Sequence, residues 1–355
     1  MKKKIRSSSL LLITPPSISS SHSMRIYGDQ VANAARKHFK VDIYNWQNVE
    51  CYLNPFSSRW YKYIHSPKRL ERDYKPSIQH ITDQAYAHLY NKNAKKNILT
   101  VHDINPIIWF RDKLGNNLAR PPVFFYYVAR YFKKFDHIIT PTYTTKNHLI
   151  DFLSLSSDRI TVVNNCVDME QTKLPQKKLN GINILVVGDS FYKNIKTIFS
   201  AISYFVESQS ITLKVHWVVT SDPDKKITQI LSKRPGAVEL KLYRNLTRPN
   251  LLDLYASCDL LLFPSLIEGF GYPIIEAYRK KLPVITSNYG AMAEIADGRC
   301  FLVNPLSVSE IASAIENVIR CDSNYKALML DNAYNYSLKF SGENFQKSLL
   351  NVYEV

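Results

Sequence analysis

The chain has 355 residues, of which 45% are hydrophobic and 21% charged, and its formal net charge is +16. This composition excludes a wholly disordered protein, and no run approaches the roughly 18 apolar residues that cross a bilayer. The length exceeds what most single hydrophobic cores fill, so we expect two domains of about 150 to 180 residues each.

The positive charge is unevenly distributed along the chain. Residues 1–170 carry a net charge of +12, whereas residues 171–355 carry +4. A basic half indicates an anionic partner, and three classes fit it: a membrane surface, a phosphorylated acceptor or nucleic acid. Composition alone leaves all three open.

The N-terminal segment MKKKIRSSSLLLITPPS has the basic head and apolar run of a secretion signal. Its apolar core extends only from Leu10 to Ile13, which is shorter than the roughly 7 to 15 residues that such a signal needs. We therefore interpret it as a first buried strand and expect a cytoplasmic protein. The five cysteines form no C-x-x-C pair, which favours reduced thiols over a disulfide framework or a zinc site.

Short apolar runs alternate with helical patterns through the first half of the chain. The predicted strands are SLLLIT, VDIYN, IQHIT, NILTVHD, DHIITP and RITVVN, and MRIYGDQVANAARKHF is a predicted helix. Such alternation is typical of a parallel sheet covered by helices. The polar, lysine-rich stretch QTKLPQKKLNG that follows predicts a linker.

The alternation restarts in the second half with INILVVGDS, a helix from Ile195 to Val206, and then LKVHWVVTS, VELKLY, DLLLFPS and LPVITS. The fold class is therefore α/β, with two Rossmann-like, doubly wound parallel-sheet domains facing a central cleft. We place the first domain at 1–172, the linker at 173–181 and the second domain at 182–341. A C-terminal helix at about 342–355 is expected to pack back on the first domain.

The segment PSLIEGFGYPIIEA sets two carboxylates, Glu268 and Glu276, around a glycine-containing turn. Pro273 and the apolar pattern after it predict the start of a helix. Gly269 and Gly271 let backbone amides approach an anion at the positive end of that helix. A nucleotide-sugar diphosphate has the matching layout: its phosphates would lie between the two carboxylates, and each carboxylate would accept hydrogen bonds from hydroxyl groups on its own side. The alternative is that Glu268 caps the loop and Glu276 is solvated.

The span from Tyr243 to Pro305 resembles family 4 of the retaining GT-B glycosyltransferases, whose hallmark is a glutamate, seven residues and a second glutamate, here EGFGYPIIE. The flanking segments LYASCDLLLFPS and KKLPVITSNYGAMAEIADG are similar to the family's elements, and a weaker resemblance covers nearly the whole chain. It implies a GT-B fold, a nucleotide-sugar donor and metal-independent transfer with retention.

The resemblance also implies residue roles in the donor site. Glu276 would hold the nucleotide ribose, and Glu268 would lie beside the donor sugar and the reacting centre. The loop and the start of the helix between them would contact the sugar and the diphosphate. The further donor-binding candidates are therefore Gly269, Phe270, Gly271, Tyr272, Pro273 and Ile274.

The segment VVGDSFYKN resembles the family's first strand and loop of the donor domain, where an arginine and a lysine usually neutralise the diphosphate. Lys193 matches the lysine, and Gly188 lies in the same loop. Asp189 occupies the arginine position, where a carboxylate would repel the leaving group. Either another cation substitutes, with Arg244 and Arg25 as candidates, or the loop aligns differently.

Two segments of the first domain also resemble family elements. ILTVHDINP is similar to the segment whose histidine contacts the donor sugar, which implies that role for His102; the alternative is a structural histidine. Asp103 is expected to cap the next turn. ISSSHSMRIYGDQV stands where the family has a glycine-rich loop, and His22 and Arg25 are its acceptor-side candidates.

RWYKY and FFYYVARYFKKF interleave aromatic residues with cations. Three interpretations fit the second of them: a helix packed beneath the next strand, contact with lipid headgroups, or stacking on nucleic-acid bases. The D-x-D of SDPDKK is interrupted by a proline and predicts a solvated turn, and the histidines lack metal-ligand spacing. No metal site is predicted.

We therefore predict a cytoplasmic glycosyltransferase, at the cytosolic face of a membrane, that uses a UDP- or GDP-linked sugar and a lipid-linked or oligosaccharide acceptor. The expected pathway is cell-surface polysaccharide, glycolipid or glycoprotein glycan synthesis, with no cofactor and no nucleic-acid partner. Two alternatives remain: a nucleotide-sugar epimerase or phosphorylase of the same fold, and a catalytically idle protein that binds glycans or nucleic acid.

Overall fold

A computed structural model describes residues 8–15, 22–44, 66–112, 123–167, 181–209, 211–231 and 236–354. The chain divides into two compact units, Met1–Cys166 with Ser341–Val355, and Val167–Phe340. Nearly all of the predicted linker at 173–181 and the whole RWYKY segment lie outside the described residues.

The first unit contains a parallel six-stranded sheet with the spatial order β2-β1-β3-β4-β5-β6. Its strands are β1 (Ser9–Ile13), β2 (Lys40–Tyr44), β3 (Ile78–Ile81), β4 (Lys96–Thr100), β5 (His137–Thr140) and β6 (Ile160–Val162). All six were predicted from the sequence, with small differences at their ends. The central strands are buried on both faces because helices cover the sheet, as is usual for parallel sheets.

The helices of the first unit come from the segments between its strands. They are α1 (His22–Ala35), α2 (Ser66–Asp73), α3 (Asn105–Asp112), α4 (Val123–Ala129) and α5 (Tyr143–Leu153). Helix α5 begins where the Thr142 hydroxyl accepts a hydrogen bond from the Thr145 amide at 3.1 Å, which is an ordinary N-cap.

The C-terminal helix (Gly342–Glu354) packs in the first unit. Its buried residues Phe345, Leu349 and Tyr353 join the cluster that contains Tyr27 and Val31 of α1. The Tyr353 hydroxyl lies 2.7 Å from Nδ1 of His80 on β3, so a polar contact reinforces the apolar one.

The second unit contains another parallel six-stranded sheet, with the order β12-β11-β10-β7-β8-β9. Its strands are β7 (Ile182–Val187), β8 (Leu213–Val219), β9 (Val238–Arg244), β10 (Leu260–Phe263), β11 (Val284–Ser287) and β12 (Phe301–Val303). β12, a three-residue strand, was not predicted. β10 ends at Phe263, slightly before the expected position near Ser265.

The helices of the second unit are α6 (Ile195–Gln209), α7 (Lys225–Thr228), α8 (Arg248–Ser257), α9 (Tyr272–Arg279), α10 (Gly290–Ala296), α11 (Val308–Arg320) and α12 (Ser323–Ser337). Strands β7 and β10 are neighbours although the chain forms β8 and β9 between them. The order of the sheet therefore reverses between β7 and β10, and loops that leave such neighbours at their carboxyl ends form the usual ligand site of a doubly wound fold.

Each unit is thus a doubly wound α/β structure, which confirms the predicted class. No helix in the part of the chain that the structure describes is long and apolar enough to cross a membrane.

Candidate active site

The loops after β7 and β10 meet in the second unit, and each carries one partner of a charged pair. The Nζ of Lys193, from the loop after β7, lies 2.6 Å from Oε1 of Glu268, from the loop after β10. Only 16% of the lysine side chain and 14% of the glutamate side chain are exposed. Removing either partner of a pair this enclosed leaves a poorly solvated charge.

Backbone and amide contacts lock the two loops together. The Nδ2 of Asn194 donates to the carbonyl oxygens of Pro264 at 3.1 Å and of Pro305 at 2.7 Å. The amide of Leu266 donates to the carbonyl of Tyr192 at 2.8 Å. The positions of the cation and the carboxylate are therefore set by the backbone and not by the pair alone.

Gly188 makes room for the lysine. Its φ of +96° lies in a region that residues with a side chain rarely adopt, and a Cβ there would meet Cε and Cγ of Lys193 at 2.9 Å. The aliphatic part of Lys193 therefore lies across the glycine, while its ammonium is 4.6 Å from the centre of the Phe263 ring.

Helix α9 begins at the far end of the second loop. Gly271 is its N-cap residue at a φ of +100°, and Pro273 occupies its first turn, where the missing amide proton costs nothing. An added Cβ on Gly271 would approach Cδ1 of Ile274 to 3.2 Å. The conformation of Gly271 thus favours glycine, and a side chain there would also press on Ile274.

The predicted donor-binding residues of this loop divide into two groups. Phe270 and Ile274 are buried, and both belong to the apolar cluster of the unit, where the Phe270 ring packs edge-on against Phe340. Their side chains serve the core, so ligand contact at these positions is left to the backbone. Gly269, Tyr272 and Pro273 are half-buried.

Glu276 lies one turn into α9, as predicted, but it is not solvated. Only 6% of its side chain is exposed, and its Oε1 pairs with NH1 of Arg248 at the start of α8. The phenol of Tyr255, also on α8, is fully buried. Burial raises the Tyr255 pKa well above its ordinary value, and the negative charge of Glu276 raises it further.

The structure accounts for Asp189, the apparent departure from the family pattern. Its carboxylate accepts hydrogen bonds from the amides of Thr220 at 2.9 Å and Ser221 at 2.8 Å, and from both hydroxyls at 2.8 and 2.9 Å. Burial raises the pKa of Asp189, but these hydrogen bonds together outweigh it and hold the pKa below its ordinary value. Asp189 therefore anchors the loop after β8, where four donors offset its charge.

The cations proposed to replace the family arginine lie in different places. Arg244, the last residue of β9, pairs with Asp222 at 2.5 Å, and both side chains are well exposed. Arg25 lies in the first turns of α1 in the first unit and is half-buried. His22 begins α1, and its side chain lies outside the described residues.

His102 lies just beyond the end of β4 in the first unit and is 4% exposed. Its Nε2 donates to the carbonyl of Thr82 at 2.9 Å, and the Tyr27 ring packs edge-on at 4.7 Å. Burial lowers the pKa of His102, so the imidazole is neutral at pH 7 and carries its proton on Nε2. Asp103 accepts from the Asn105 amide at 3.0 Å and caps the next turn.

Sequence reasoning missed Arg248 and Tyr255. Arg248 follows the N-cap Thr247 and precedes a proline, a context that predicts only a helix start. Tyr255 reads as one more apolar residue of α8. Among the described residues no group of three or more histidine, cysteine, aspartate or glutamate side chains has the geometry of a metal site.

Comparison with known proteins identifies the family. Residues 20–171 match the model described as Glycosyltransferase Family 4, and residues 181–321 match the model described as Glycosyl transferases group 1. Among solved structures, the sucrose-phosphate synthase from Thermosynechococcus elongatus has a TM-score of 0.77 over 98% of both chains at 16% identity. Identity this low speaks for the fold alone, and the GT-B fold is confirmed.

Curated relatives include bacterial mannosyltransferases. The O-antigen chain mannosyltransferase RfbU of Salmonella typhimurium is 26% identical over 221 residues, which cover 62% of this chain and 60% of that protein. The serotype-specific mannosyltransferase WbdA of Escherichia coli is 23% identical over 268 residues, which cover 70% of this chain and 32% of that protein. The chain thus spans less than two thirds of the length of either relative.

The two family models match the chain on both sides of residues 172–180, and the glutamates of the E-x7-E motif lie in the second of the matched ranges. The chain therefore belongs to the family 4 glycosyltransferases.

Proposed function

We propose that the chain is a glycosyltransferase that moves a sugar from a nucleotide diphosphate sugar to a hydroxyl group of a lipid-linked or oligosaccharide acceptor. The Lys193–Glu268 pair carries this proposal, because it holds a cation and a carboxylate at the carboxyl ends of the neighbouring strands β7 and β10. The amino end of α9 begins in the same loop as Glu268.

Each group has a task in such a transfer. Negative charge grows on the departing diphosphate, and the ammonium of Lys193 together with the amino end of α9 stabilises it. Glu268 accepts hydrogen bonds from hydroxyl groups of the donor sugar and stabilises positive charge at the reacting carbon. The acceptor hydroxyl attacks the reacting carbon from the face that the diphosphate leaves, the bond from that carbon to the diphosphate breaks, and the hydroxyl proton passes to an oxygen of the departing diphosphate, so the anomeric configuration is retained. We propose that this scheme needs no metal ion.

The names of the relatives support a choice of sugar and pathway. RfbU and WbdA are both mannosyltransferases, and RfbU is named for the O-antigen chain. We therefore propose mannose, linked to GDP or UDP, as the transferred sugar and cell-surface polysaccharide synthesis as the pathway.

The first unit carries a surface that is both basic and aromatic. Arg130, Lys133 and Lys134 are exposed beside Tyr126, whose side chain is 42% exposed, while Phe132 between them is buried. A surface that combines basic and aromatic side chains, held in place by a buried phenylalanine, suits the headgroup layer of an anionic membrane. We propose peripheral contact here, at the cytosolic face.

A binding and transfer experiment tests the function. In a thermal-shift panel of UDP-, GDP- and ADP-linked sugars, the sugars of one nucleotide class should raise the melting temperature of the protein, since a bound donor stabilises the fold. That donor should then label a lipid-linked oligosaccharide, with the anomeric configuration of the product read by NMR. Retention supports the proposal, and inversion overturns its stereochemistry.

The alternatives give different products in the same experiment. An epimerase converts the donor with no acceptor present, and a phosphorylase requires free phosphate. An idle binding protein shifts its melting temperature with a glycan but transfers nothing. Any of these results would overturn the proposed transfer.

A further inference from the structure

We propose that Arg248 is a specificity-determining residue for the nucleotide, because it orients the carboxylate of Glu276 for the ribose hydroxyls of the donor. This inference rests on the proposed function, since it needs a nucleotide donor. Neither the E-x7-E motif nor the comparisons assign a role to Arg248.

The first argument is electrostatic. A carboxylate whose side chain is 94% enclosed is costly to keep ionised unless a cation or several donors face it. Arg248 supplies that cation from the first turn of α8, and Tyr255 of the same helix lies close enough that the charge of Glu276 adds to burial in raising the pKa of Tyr255. Without Arg248 the buried carboxylate would lose the only cation paired with it among the described residues.

The second argument is geometric. The Arg248 guanidinium contacts the carboxylate of Glu276 through one nitrogen, Nη1, on one oxygen, Oε1. A carboxylate offers about four acceptor positions, of which this contact uses one. The pair therefore presents a positioned carboxylate with acceptor positions left for the hydroxyl groups of a ligand.

The third argument is access. Glu276 lies on the buried face of α9, whereas 43% of the Arg248 side chain is exposed. A ligand therefore reaches the pair from the side of Arg248, which holds the carboxylate in place. Burial lowers the pKa of Lys280 and the charge of Arg248 lowers it further, although Asp253 opposes both, so a second cation lies close to the pair.

The experiment compares ribose with deoxyribose. Calorimetry measures the binding of UDP, GDP and their 2′-deoxy forms to the wild-type chain and to Arg248→Gln. Wild type should prefer the ribose form, and Arg248→Gln should lose affinity for that form by about tenfold while its affinity for the deoxy form changes less. The preference ratio should therefore approach one.

Four further variants separate positioning from a structural role. Glu276→Gln should also abolish the preference, and adding Arg248→Gln to it should change the ratio no further. Arg248→Lys should restore part of the preference, because an ammonium keeps the charge but not the planar fork. Arg320→Gln, which breaks the exposed pair with Glu316 on α11, is the matched control and should leave the ratio at its wild-type value.

The outcomes are distinct. Equal losses for the ribose and deoxy forms, or no loss, in an Arg248→Gln protein that melts as wild type would overturn the inference and leave the proposed function intact. Failure of the wild-type chain to bind any of these nucleotides would overturn both. An intermediate ratio in Arg248→Lys, with Glu276→Gln and the double variant alike, supports the inference.

Discussion

The Nζ of Lys193 and the Oε1 of Glu268 lie 2.6 Å apart, although 75 residues separate them in the chain. Strands β7 and β10 bring them together because they are neighbours in the sheet. The pair joins the cation expected to meet a diphosphate with the carboxylate expected to meet a sugar.

Lys193→Met should lower kcat for sugar transfer by about a hundredfold to a thousandfold, since it removes a fixed charge that faces the leaving group. Glu268→Gln should lower kcat to a similar extent. Radiolabelled transfer assays measure both. Lys214→Met is the control, because Lys214 pairs with Glu239 at 3.5 Å and the two side chains are 34% and 51% exposed. Transfer by Lys193→Met within threefold of wild type would contradict the assignment.

Gly188→Ala should displace Lys193, because the new Cβ would lie 2.9 Å from its Cε. We expect transfer to fall by about tenfold to a hundredfold, as misplacement of a catalytic group usually does. Gly298→Ala is a matched control: its φ is +70°, and a Cβ there meets no atom within 4 Å among the described residues. If both variants lose the same activity, backbone strain and not the lysine is responsible.

Asp189→Asn should weaken the anchor of the loop after β8. At neutral pH the melting temperature should fall by roughly 2 to 4 °C, equivalent to about 1 kcal/mol after solvent screening. Because the folded pKa of Asp189 is depressed, its stabilisation is present above about pH 4 and is lost as the pH falls through the folded pKa. The difference from wild type should therefore shrink below pH 4. A constant difference from pH 7 to pH 3 would show that the charge of Asp189 is not involved.

His80 should make the first unit sensitive to mild acid. Burial lowers its pKa to about 3, with a smaller contribution from His102, while its ring nitrogens contact Tyr353 and Thr100. Between about pH 6.5 and pH 3 the unfolded chain binds a proton at His80 that the folded chain does not, so stability falls as the pH falls.

Chemical denaturation at several pH values measures this loss. His80→Gln should reduce the slope of unfolding free energy against pH in that window, leaving the part due to the other histidines whose pKa burial lowers, His102, His137 and His216. His38→Gln changes an exposed histidine and should keep the wild-type slope. An unchanged slope in His80→Gln would contradict the prediction.

Replacement of Arg130, Lys133 and Lys134 by glutamine should weaken binding to anionic vesicles by roughly a hundredfold, at about 1 kcal/mol for each cation at the surface. Binding of the wild type should also fall steeply as salt is added. Sedimentation with phosphatidylserine vesicles measures both effects. The control replaces the exposed Lys225, Lys226 and Lys241 by glutamine, which changes the net charge by the same amount. Equal binding of wild type to neutral vesicles would rule out this surface.

Much of the architecture was predictable from sequence because it depends on local patterns. Alternating apolar runs located all strands except β12, which has only three residues and one fully buried side chain. The glycines and the proline of EGFGYPIIE predicted the loop and the start of α9, since φ near +100° and a first-turn proline are local requirements. The family signature in the same segment then predicted a glycosyltransferase.

Only the tertiary structure decided which charges meet. Whether Asp189 opposes a leaving group or binds the loop after β8 depends on a contact 31 residues away, and the cation that Glu276 meets, Arg248, lies 28 residues away. Such pairings follow from strand order and helix packing, which no local pattern encodes. The sequence by itself determined the elements, the motif and the family, whereas the three-dimensional packing determined the partners and the burial that give each charged residue its chemistry.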